Sequence, residues 1–188
     1  LKPPLPATPG AECVGRVSSV GSAVKHVKAG DLVINLQREN WTQRRRVKGD
    51  DAIPLPPGID LRQAAMVRIN PPTARLMLSE FVDLAAGEWV IQNVANSAVG
   101  RLLIVQAHQR GLRTVNVVRR AELAEELKSL GADVVLVDGD DLAERVAGAT
   151  GNAAIRLGIE AIGGAATGRI VDCVATEGTV VHYGSMSG

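Results

Sequence analysis

The sequence predicts an α/β fold with a doubly wound parallel sheet, preceded by a smaller β-rich segment. Strand and helix patterns alternate after residue 58, as in a sheet whose parallel strands are joined by helices. Hydrophobic residues make up 46% of the chain and aromatic residues only 2%. The core is therefore aliphatic, which suits a sheet buried on both faces. Because the proline-rich segment 54–58 cannot form a helix interior or a central strand, we expect two domains, residues 1–57 and 58–188.

Strands are expected in the first domain at residues 13–20 and 31–34, the second of them after a turn signal at residues 28–31. In the second domain, hydrophobic periodicity separates helices from strands, and Pro71 and Pro72 are expected either to break the chain or to start a new helix. The expected helices are residues 62–66, 73–78, 98–110, 121–130, 142–147 and 167–175. The expected strands are residues 89–93, 114–118, 133–137, 156–162 and 179–183.

A series of this kind has right-handed crossovers, and its ligand binds at the carboxyl ends of the strands. Three loops should therefore lie together, after Asn93, after Val118 and after Tyr183. The first loop, residues 94–100, is built of small residues and leads into a helix whose N-terminus could face a pyrophosphate. Asn96 and Ala98 stand where a dinucleotide fingerprint would have glycines, so capping of the helix by Asn96 or Ser97 is an alternative interpretation.

The second loop favours NADP over NAD. NAD-binding domains carry an acid after the second strand to bind the ribose diol, whereas this chain has Arg119 and Arg120, and its next acid is Glu122. A guanidinium can bind a 2′-phosphate with paired hydrogen bonds. The alternative is an exposed arginine pair at a helix start, a position that the helix dipole disfavours.

The third loop, residues 183–188, is rich in Gly and Ser and could pass the nicotinamide end of the cofactor. Tyr183, the only tyrosine of the chain, is a candidate proton donor, although packing at a strand end explains it equally well.

Charge and cysteine usage exclude several classes of protein. A net charge of +1 argues against nucleic acid or an anionic membrane as partner, and the basic run of residues 44–46 with Lys48 is interpreted as a solvated loop or strand edge. Cys13 and Cys173 have no metal-type spacing and imply no disulfide framework, so a reducing cytoplasm is expected. Neither a signal peptide nor a membrane-length apolar run is recognised. Because no Met precedes Leu1, a fragment of a longer protein is expected.

Several motifs occur in one order along the chain. Residues 69–74 read Ile-Asn-Pro-Pro-Thr-Ala, residues 89–100 contain Gln-Asn and then Asn-Ser-Ala-Val-Gly, and residues 181–186 read Val-His-Tyr-Gly-Ser-Met. In combination they resemble the mitochondrial-type trans-2-enoyl-thioester reductases, in the zinc-free, quinone-oxidoreductase-like branch of the medium-chain dehydrogenases/reductases. Residues 10–17 and 27–31 are similar to the end of the GroES-like catalytic domain of that family. The resemblance covers nearly the whole chain.

The resemblance implies part of a GroES-like catalytic domain in residues 1–57 and an NADP(H)-binding Rossmann domain, incomplete at its C-terminus, in residues 58–188. The implied contacts are Asn70 and Thr73 near the nicotinamide; Asn96, Ser97, Ala98 and Val99 at the pyrophosphate; Arg119 and Arg120 at the 2′-phosphate; and Tyr183, Gly184, Ser185 and Met186 on the nicotinamide side. Ala98 and Ser185 depart from the family pattern, since each replaces a glycine.

No metal site is expected. Zinc alcohol dehydrogenases carry a histidine between the Gly and Glu of a Gly-x-Glu motif, where this chain has Ala11, and the cysteine quartet of their structural zinc is absent. Catalytic zinc needs three protein ligands, but the histidines at positions 26, 108 and 182 are scattered. The proton donor of the enoyl reductases is a tyrosine from a region that would precede Leu1, so the catalytic residue is unknown here.

The favoured hypothesis is NADPH-dependent reduction of the activated C=C bond of a 2-enoyl thioester, a reaction of fatty acid metabolism, by a homodimer. Hydride would go to the β-carbon, and the developing enolate would be stabilised and then protonated at the α-carbon. A quinone or enone reductase of the same fold is the first alternative, because fold does not fix function. A nucleotide-binding module without catalysis is the second.

Overall fold

The computed structural model describes residues 4–185. The chain forms two compact units, which divide between Pro72 and Thr73. The domain boundary expected after Pro57 stays a prediction. Across residues 4–185, no helix combines the length and the apolar character that crossing a bilayer requires.

The first unit contains a three-stranded antiparallel sheet. Its strands are β1 (Val14–Arg16), β2 (Leu32–Asn35) and β3 (Ala52–Pro54), in the order β1-β2-β3. The predicted strand at residues 13–20 is shorter in the structure, because only β1 pairs with β2. The strand β3 was not predicted from the sequence, and Pro54 was expected in the connector between the domains. Pro54 can end β3 because β3 is an edge strand, where a missing N–H donor breaks no ladder.

Two helices follow. The helix α1 (Leu61–Met66) begins at Asp60, whose carboxylate accepts the backbone N–H groups of Arg62 and Gln63 at 2.8 and 3.1 Å. The helix α2 (Asn70–Ser79) contains both prolines in its first turn. Of the two expectations for the prolines, the start of a new helix is confirmed. The first turn of a helix has no N–H groups to bond internally, so the prolines lie within the start of α2 rather than before it.

The second unit confirms the predicted doubly wound α/β fold. Its five strands are all parallel, in the order β6-β5-β4-β7-β8. They are β4 (Trp89–Gln92), β5 (Arg113–Val118), β6 (Val134–Val137), β7 (Leu157–Glu160) and β8 (Thr179–His182). The helices between them are α3 (Ala98–Gln109), α4 (Ala124–Ser129), α5 (Leu142–Thr150) and α6 (Ala165–Asp172).

Aliphatic side chains fill both faces of this sheet, as the composition predicts. Consecutive residues of β4 point to opposite faces, so Val90 packs with Leu103 and Ala107 of α3, whereas Ile91 packs with residues of α5 and α6. All three of the first group are fully buried. Burial of such side chains contributes about 1.5–3 kcal/mol each.

Some element boundaries differ from the prediction. The helix expected at residues 121–130 is a 3-10 turn, Ala121–Leu123, followed by α4. The strand expected at residues 156–162 is only β7, because the chain turns after Glu160 through Gly163 and Gly164, both at positive φ. The helix expected at residues 142–147 is longer, and Gly151 ends it in the left-handed conformation.

Candidate functional site

The carboxyl edge of the parallel sheet contains a topological switch point. From β4 the chain builds β5 and β6 on one side, and then β7 and β8 on the other. The connections leaving β4 and β7 therefore diverge to opposite sides, which opens a crevice at their carboxyl ends. The three loops that were predicted from the sequence to lie together all follow strands at this edge.

The loop after β4 leads directly into α3. The Oγ atom of Ser97 accepts the backbone N–H of Gly100 at 3.1 Å and caps the helix. Gln92, the last residue of β4, also binds this turn. Its Nε2 donates to the carbonyl oxygen of Gly100 at 3.0 Å and to Asn116 Oδ1 at 2.8 Å. Capping by Ser97 satisfies one N–H of this turn, and the positive end of the helix dipole still faces the loop.

Two backbone features of this loop carry the geometry of a glycine-rich turn. A Cβ atom on Gly100 would lie 2.6 Å from the Ala95 carbonyl oxygen, so only glycine allows α3 to start this close to the turn. Val94 has φ of +50°, a left-handed conformation that β-branched residues rarely adopt. Ala98 is exposed at the first position of α3, so its methyl group is accommodated without a clash. Asn96 is half-buried, and its carbonyl oxygen accepts a bond from Arg101.

The loop after β5 carries the two candidate arginines, both exposed. Arg120 lies 3.3 Å from a carboxylate oxygen of Glu122. Within residues 4–185, Arg119 forms no ion pair. Of the two guanidinium groups at this strand end, that of Arg119 is therefore the more available to bind an anion.

The loop after β8 approaches the loop after β4. Burial, the largest influence, raises the pKa of the Tyr183 hydroxyl, and a side-chain hydrogen bond with Ser97 acts in the opposite direction. Tyr183 also packs against the core beside α3. A Cβ atom on Gly184 would come within 3.0 Å of the Ala161 carbonyl oxygen. Ser185 is exposed, and Met186 lies outside the described residues.

The remaining candidates, Asn70 and Thr73, are half-buried in the first turn of α2. Their contact with a nicotinamide stays a prediction, as do the other assigned contacts. Val99 is half-buried and packs on the core beneath α3, where it serves the fold.

One fully buried side chain at this edge, that of Glu160, was not predicted from the sequence. Glu160 ends β7, is fully buried, and accepts hydrogen bonds from Asn93, Ile162, Gly163 and Thr167. It also pairs with Nδ1 of His182. Burial alone would raise the pKa of Glu160 most, but these hydrogen bonds outweigh it and lower the pKa to about 2. Glu160 is therefore ionised at neutral pH and cannot serve as a proton donor.

Three other expectations concern the basic run, a metal site and the cysteines. Arg45 of the basic run donates to Asn40 Oδ1 and Gln37 Oε1, each at 3.0 Å, so it supports the loop fold. Among residues 4–185, no group of three His, Cys, Asp or Glu side chains could hold a metal ion. Burial raises the pKa of the Cys173 thiol to about 11, which leaves it unreactive at neutral pH.

Together the strand order, the close start of α3 and the switch point define a Rossmann-type dinucleotide-binding unit. Two family models match the chain: the alcohol dehydrogenase GroES-like domain over residues 1–58, and the zinc-binding dehydrogenase over residues 98–188. The chain belongs to the medium-chain dehydrogenase/reductase superfamily, which confirms the resemblance that the motifs indicate.

Relatives and solved structures show the same similarity. The chain is 38% identical over 193 residues to a mitochondrial enoyl-[acyl-carrier-protein] reductase of Caenorhabditis elegans, matching 100% of this chain and 55% of the relative. It resembles the Escherichia coli quinone oxidoreductase complexed with NADPH, with a TM-score of 0.90, 30% identity and coverage of 100% of this chain and 59% of that one.

A mitochondrial 2-enoyl thioester reductase heterodimer from Candida tropicalis is also similar, with a TM-score of 0.85, 30% identity and coverage of 96% and 56%. The chain thus spans about half the length of the curated relatives that it matches.

Proposed function

We propose that this chain belongs to an NADPH-dependent oxidoreductase that reduces the activated C=C bond of a 2-enoyl thioester. One arrangement carries the proposal: the N-terminus of α3 and Arg119, which forms no ion pair with residues 4–185, lie after neighbouring strands at the carboxyl edge of the sheet. The family motifs and the enoyl reductase relatives support the thioester as the substrate class.

The described residues fit NADP(H). Because the start of α3 is held against Ala95 by the absence of a side chain on Gly100, backbone N–H groups can come close to a pyrophosphate. Arg119 offers a guanidinium to a 2′-phosphate, and the nearby acid Glu122 is paired with Arg120. The NADPH bound to the similar Escherichia coli enzyme supports the same choice.

The cofactor, when bound, supplies a hydride to the β-carbon of the enoyl group. This chain's residues bind and orient it: the α3 N-terminus and Ser97 at the pyrophosphate, and Arg119 at the 2′-phosphate. Ser97 lowers the pKa of the Tyr183 hydroxyl through a side-chain interaction, which indicates that the pyrophosphate loop lies close to the loop assigned to the nicotinamide side. Burial raises the pKa of the Tyr183 hydroxyl above its ordinary value of 10.0, although the family resemblance assigns proton donation to a different tyrosine.

A quinone reductase is the second candidate, supported by the TM-score of 0.90 with the Escherichia coli quinone oxidoreductase. NADPH oxidation by the full-length protein, offered a short trans-2-enoyl-CoA and a benzoquinone in parallel, separates the two. Turnover of the enoyl-CoA alone supports the proposal, and turnover of the quinone alone replaces it with the second candidate. NADPH binding without turnover of either acceptor would indicate a nucleotide-binding module without catalysis.

We also propose that the full-length protein forms a homodimer and acts in the cytoplasm. The similar Candida tropicalis enzyme is a heterodimer, which supports a dimeric arrangement, whereas the two enoyl reductases named above are mitochondrial. Sedimentation of the full-length protein tests the dimer. Cell fractionation tests the compartment, and recovery from mitochondria would reject the cytoplasm.

A further inference from the structure

We propose that Glu160 is a positioning residue, whose buried carboxylate holds the ends of β4, β7 and β8 in the arrangement that binds NADP(H). The inference rests on the proposed function, because it concerns the same cofactor site. Glu160 acts through the loops that it holds and has no role at the reacting atoms.

Glu160 bridges the switch point through Asn93. The Nδ2 atom of Asn93 donates to Glu160 Oε1 at 2.8 Å, and Asn93 Oδ1 accepts the backbone N–H of Ala161 at 2.9 Å. Asn93 immediately follows β4, and Glu160 ends β7. This two-way connection therefore joins the two strand ends between which the ligand crevice opens.

The same carboxylate fixes the turn after β7. Its Oε1 atom accepts the backbone N–H groups of Ile162 and Gly163 at 2.6 and 2.9 Å, and its Oε2 atom accepts the hydroxyl of Thr167 at 3.0 Å. Gly163 and Gly164 have φ of +89° and +60°. Since glycines adopt many conformations, this turn depends on the carboxylate to select one of them.

The third connection reaches β8. Nδ1 of His182 pairs with Glu160 Oε2, and the backbone N–H of Tyr183 donates to the Glu160 carbonyl oxygen at 3.0 Å. His182 directly precedes the loop assigned to the nicotinamide side. Glu160 therefore holds both that loop and the loop that leads to the pyrophosphate site.

The hydrogen bonds that converge on the Glu160 side chain require a carboxylate. Five donors meet two acceptor oxygens: three donors at Oε1 and two at Oε2. A glutamine at position 160 has one acceptor oxygen and an NH₂ group that cannot accept, so donors on one side lose their partner. Glu160→Gln thus tests the carboxylate with almost no change in side-chain volume.

The experiment uses the full-length protein in three forms: wild type, Glu160→Gln and the matched control Asp133→Asn. Asp133 is also a carboxylate bound to a backbone N–H, that of Thr114 at 2.8 Å, but it precedes β6 at the opposite edge of the sheet. Calorimetric titration measures the Kd values of NADPH and NADP⁺. Hydrogen exchange of the cofactor-free protein measures the protection of the Ile162 and Gly163 amides.

We expect Glu160→Gln to weaken NADPH and NADP⁺ alike, by about tenfold or more, and to speed exchange at both amides, since each loses a buried acceptor. Asp133→Asn should keep both Kd values within about twofold of wild type, because its hydrogen bond is remote from the site. Weakening of NADP⁺ alone would reveal an effect of charge rather than of position, and would overturn the inference.

Failure of the inference and of the proposed function are distinguishable. If wild type binds NADPH and Glu160→Gln binds it equally well, only the positioning role is overturned; if wild type binds no NADPH, both are. Should Glu160→Gln not fold, Thr167→Val removes one donor to the carboxylate at nearly constant volume. That variant is expected to bind NADPH about threefold more weakly with faster exchange at Gly163, and wild-type values for both would overturn the positioning role.

Discussion

Gly100 lies so close to Ala95 that a Cβ atom on Gly100 would stand 2.6 Å from the Ala95 carbonyl oxygen. The contact involves backbone atoms on both sides, so no side chain can rotate away to relieve a substitution. It joins the first turn of α3 to the loop after β4. The position of the helix N-terminus at the candidate pyrophosphate site therefore depends on this one glycine.

We accordingly expect Gly100→Ala to destabilise the protein by about 1–3 kcal/mol through overpacking and to weaken NADPH binding. Gly148, which lies in α5 with no atom near its missing Cβ, is the matched control. There, alanine should stabilise the helix by up to about 1 kcal/mol. Urea unfolding and NADPH titration measure both effects, and equal behaviour of the two variants would contradict the role of Gly100.

Arg119 and Arg120 are adjacent in the sequence, but only Arg120 pairs with Glu122. We expect Arg119→Ala to raise the KM for NADPH about tenfold or more, because a charge-assisted pair with the 2′-phosphate is lost, and to leave the KM for NADH unchanged. Arg120→Ala should have a smaller effect, because Arg120 already pairs with Glu122. Steady-state kinetics of the full-length enzyme with both cofactors checks this. Equal losses for NADPH and NADH would remove the 2′-phosphate assignment.

Much of the second unit could be predicted because its signals are local. Alternating patterns predict the strands and helices, and small residues between β4 and α3 mark the candidate cofactor loop. Glu160 could not be found this way, since its partners Asn93 and His182 lie 67 and 22 residues away along the chain. A single glutamate in an apolar strand forms no sequence pattern that predicts a buried, hydrogen-bonded carboxylate.

The backbone of the cofactor loop shows a second limit of sequence analysis. Residue preferences predict extended backbone for Val94, yet tertiary packing holds it at φ of +50°. The strand β3 was missed for a related reason. Its three residues end in Pro54, and only pairing with β2 makes them a strand.

The strain at Val94 has a measurable consequence. We expect Val94→Gly to be about 1 kcal/mol more stable than Val94→Ala, because glycine is unstrained at positive φ whereas alanine is not. The order should reverse at Val99 in α3, where alanine is favoured over glycine by about 1 kcal/mol. Thermal and urea unfolding of the four variants provide the comparison. If alanine were more stable than glycine at both positions, Val94 would not be strained.

The ionisation of Glu160 predicts how stability depends on pH. Its pKa is about 2 in the folded protein against an ordinary value of 4.5, so folding favours the ionised form. The resulting stabilisation is fully present above pH 4.5 and is lost as the pH falls towards 2. Wild type should therefore lose about 2 kcal/mol of unfolding free energy between pH 6 and pH 3 that Glu160→Gln does not lose.

Urea titrations at pH 6, 4.5 and 3 measure this difference. Glu125→Gln is the control, because the Glu125 side chain is 88% exposed on α4 and contributes little through its pairing with Lys128. It should follow wild type at each pH, whereas Glu160→Gln should be less stable at pH 6 and approach wild type at pH 3. Parallel curves for wild type and Glu160→Gln would contradict this prediction. Glutamine does not titrate, so the two curves converge at low pH only if the ionised Glu160 carboxylate stabilises the folded protein.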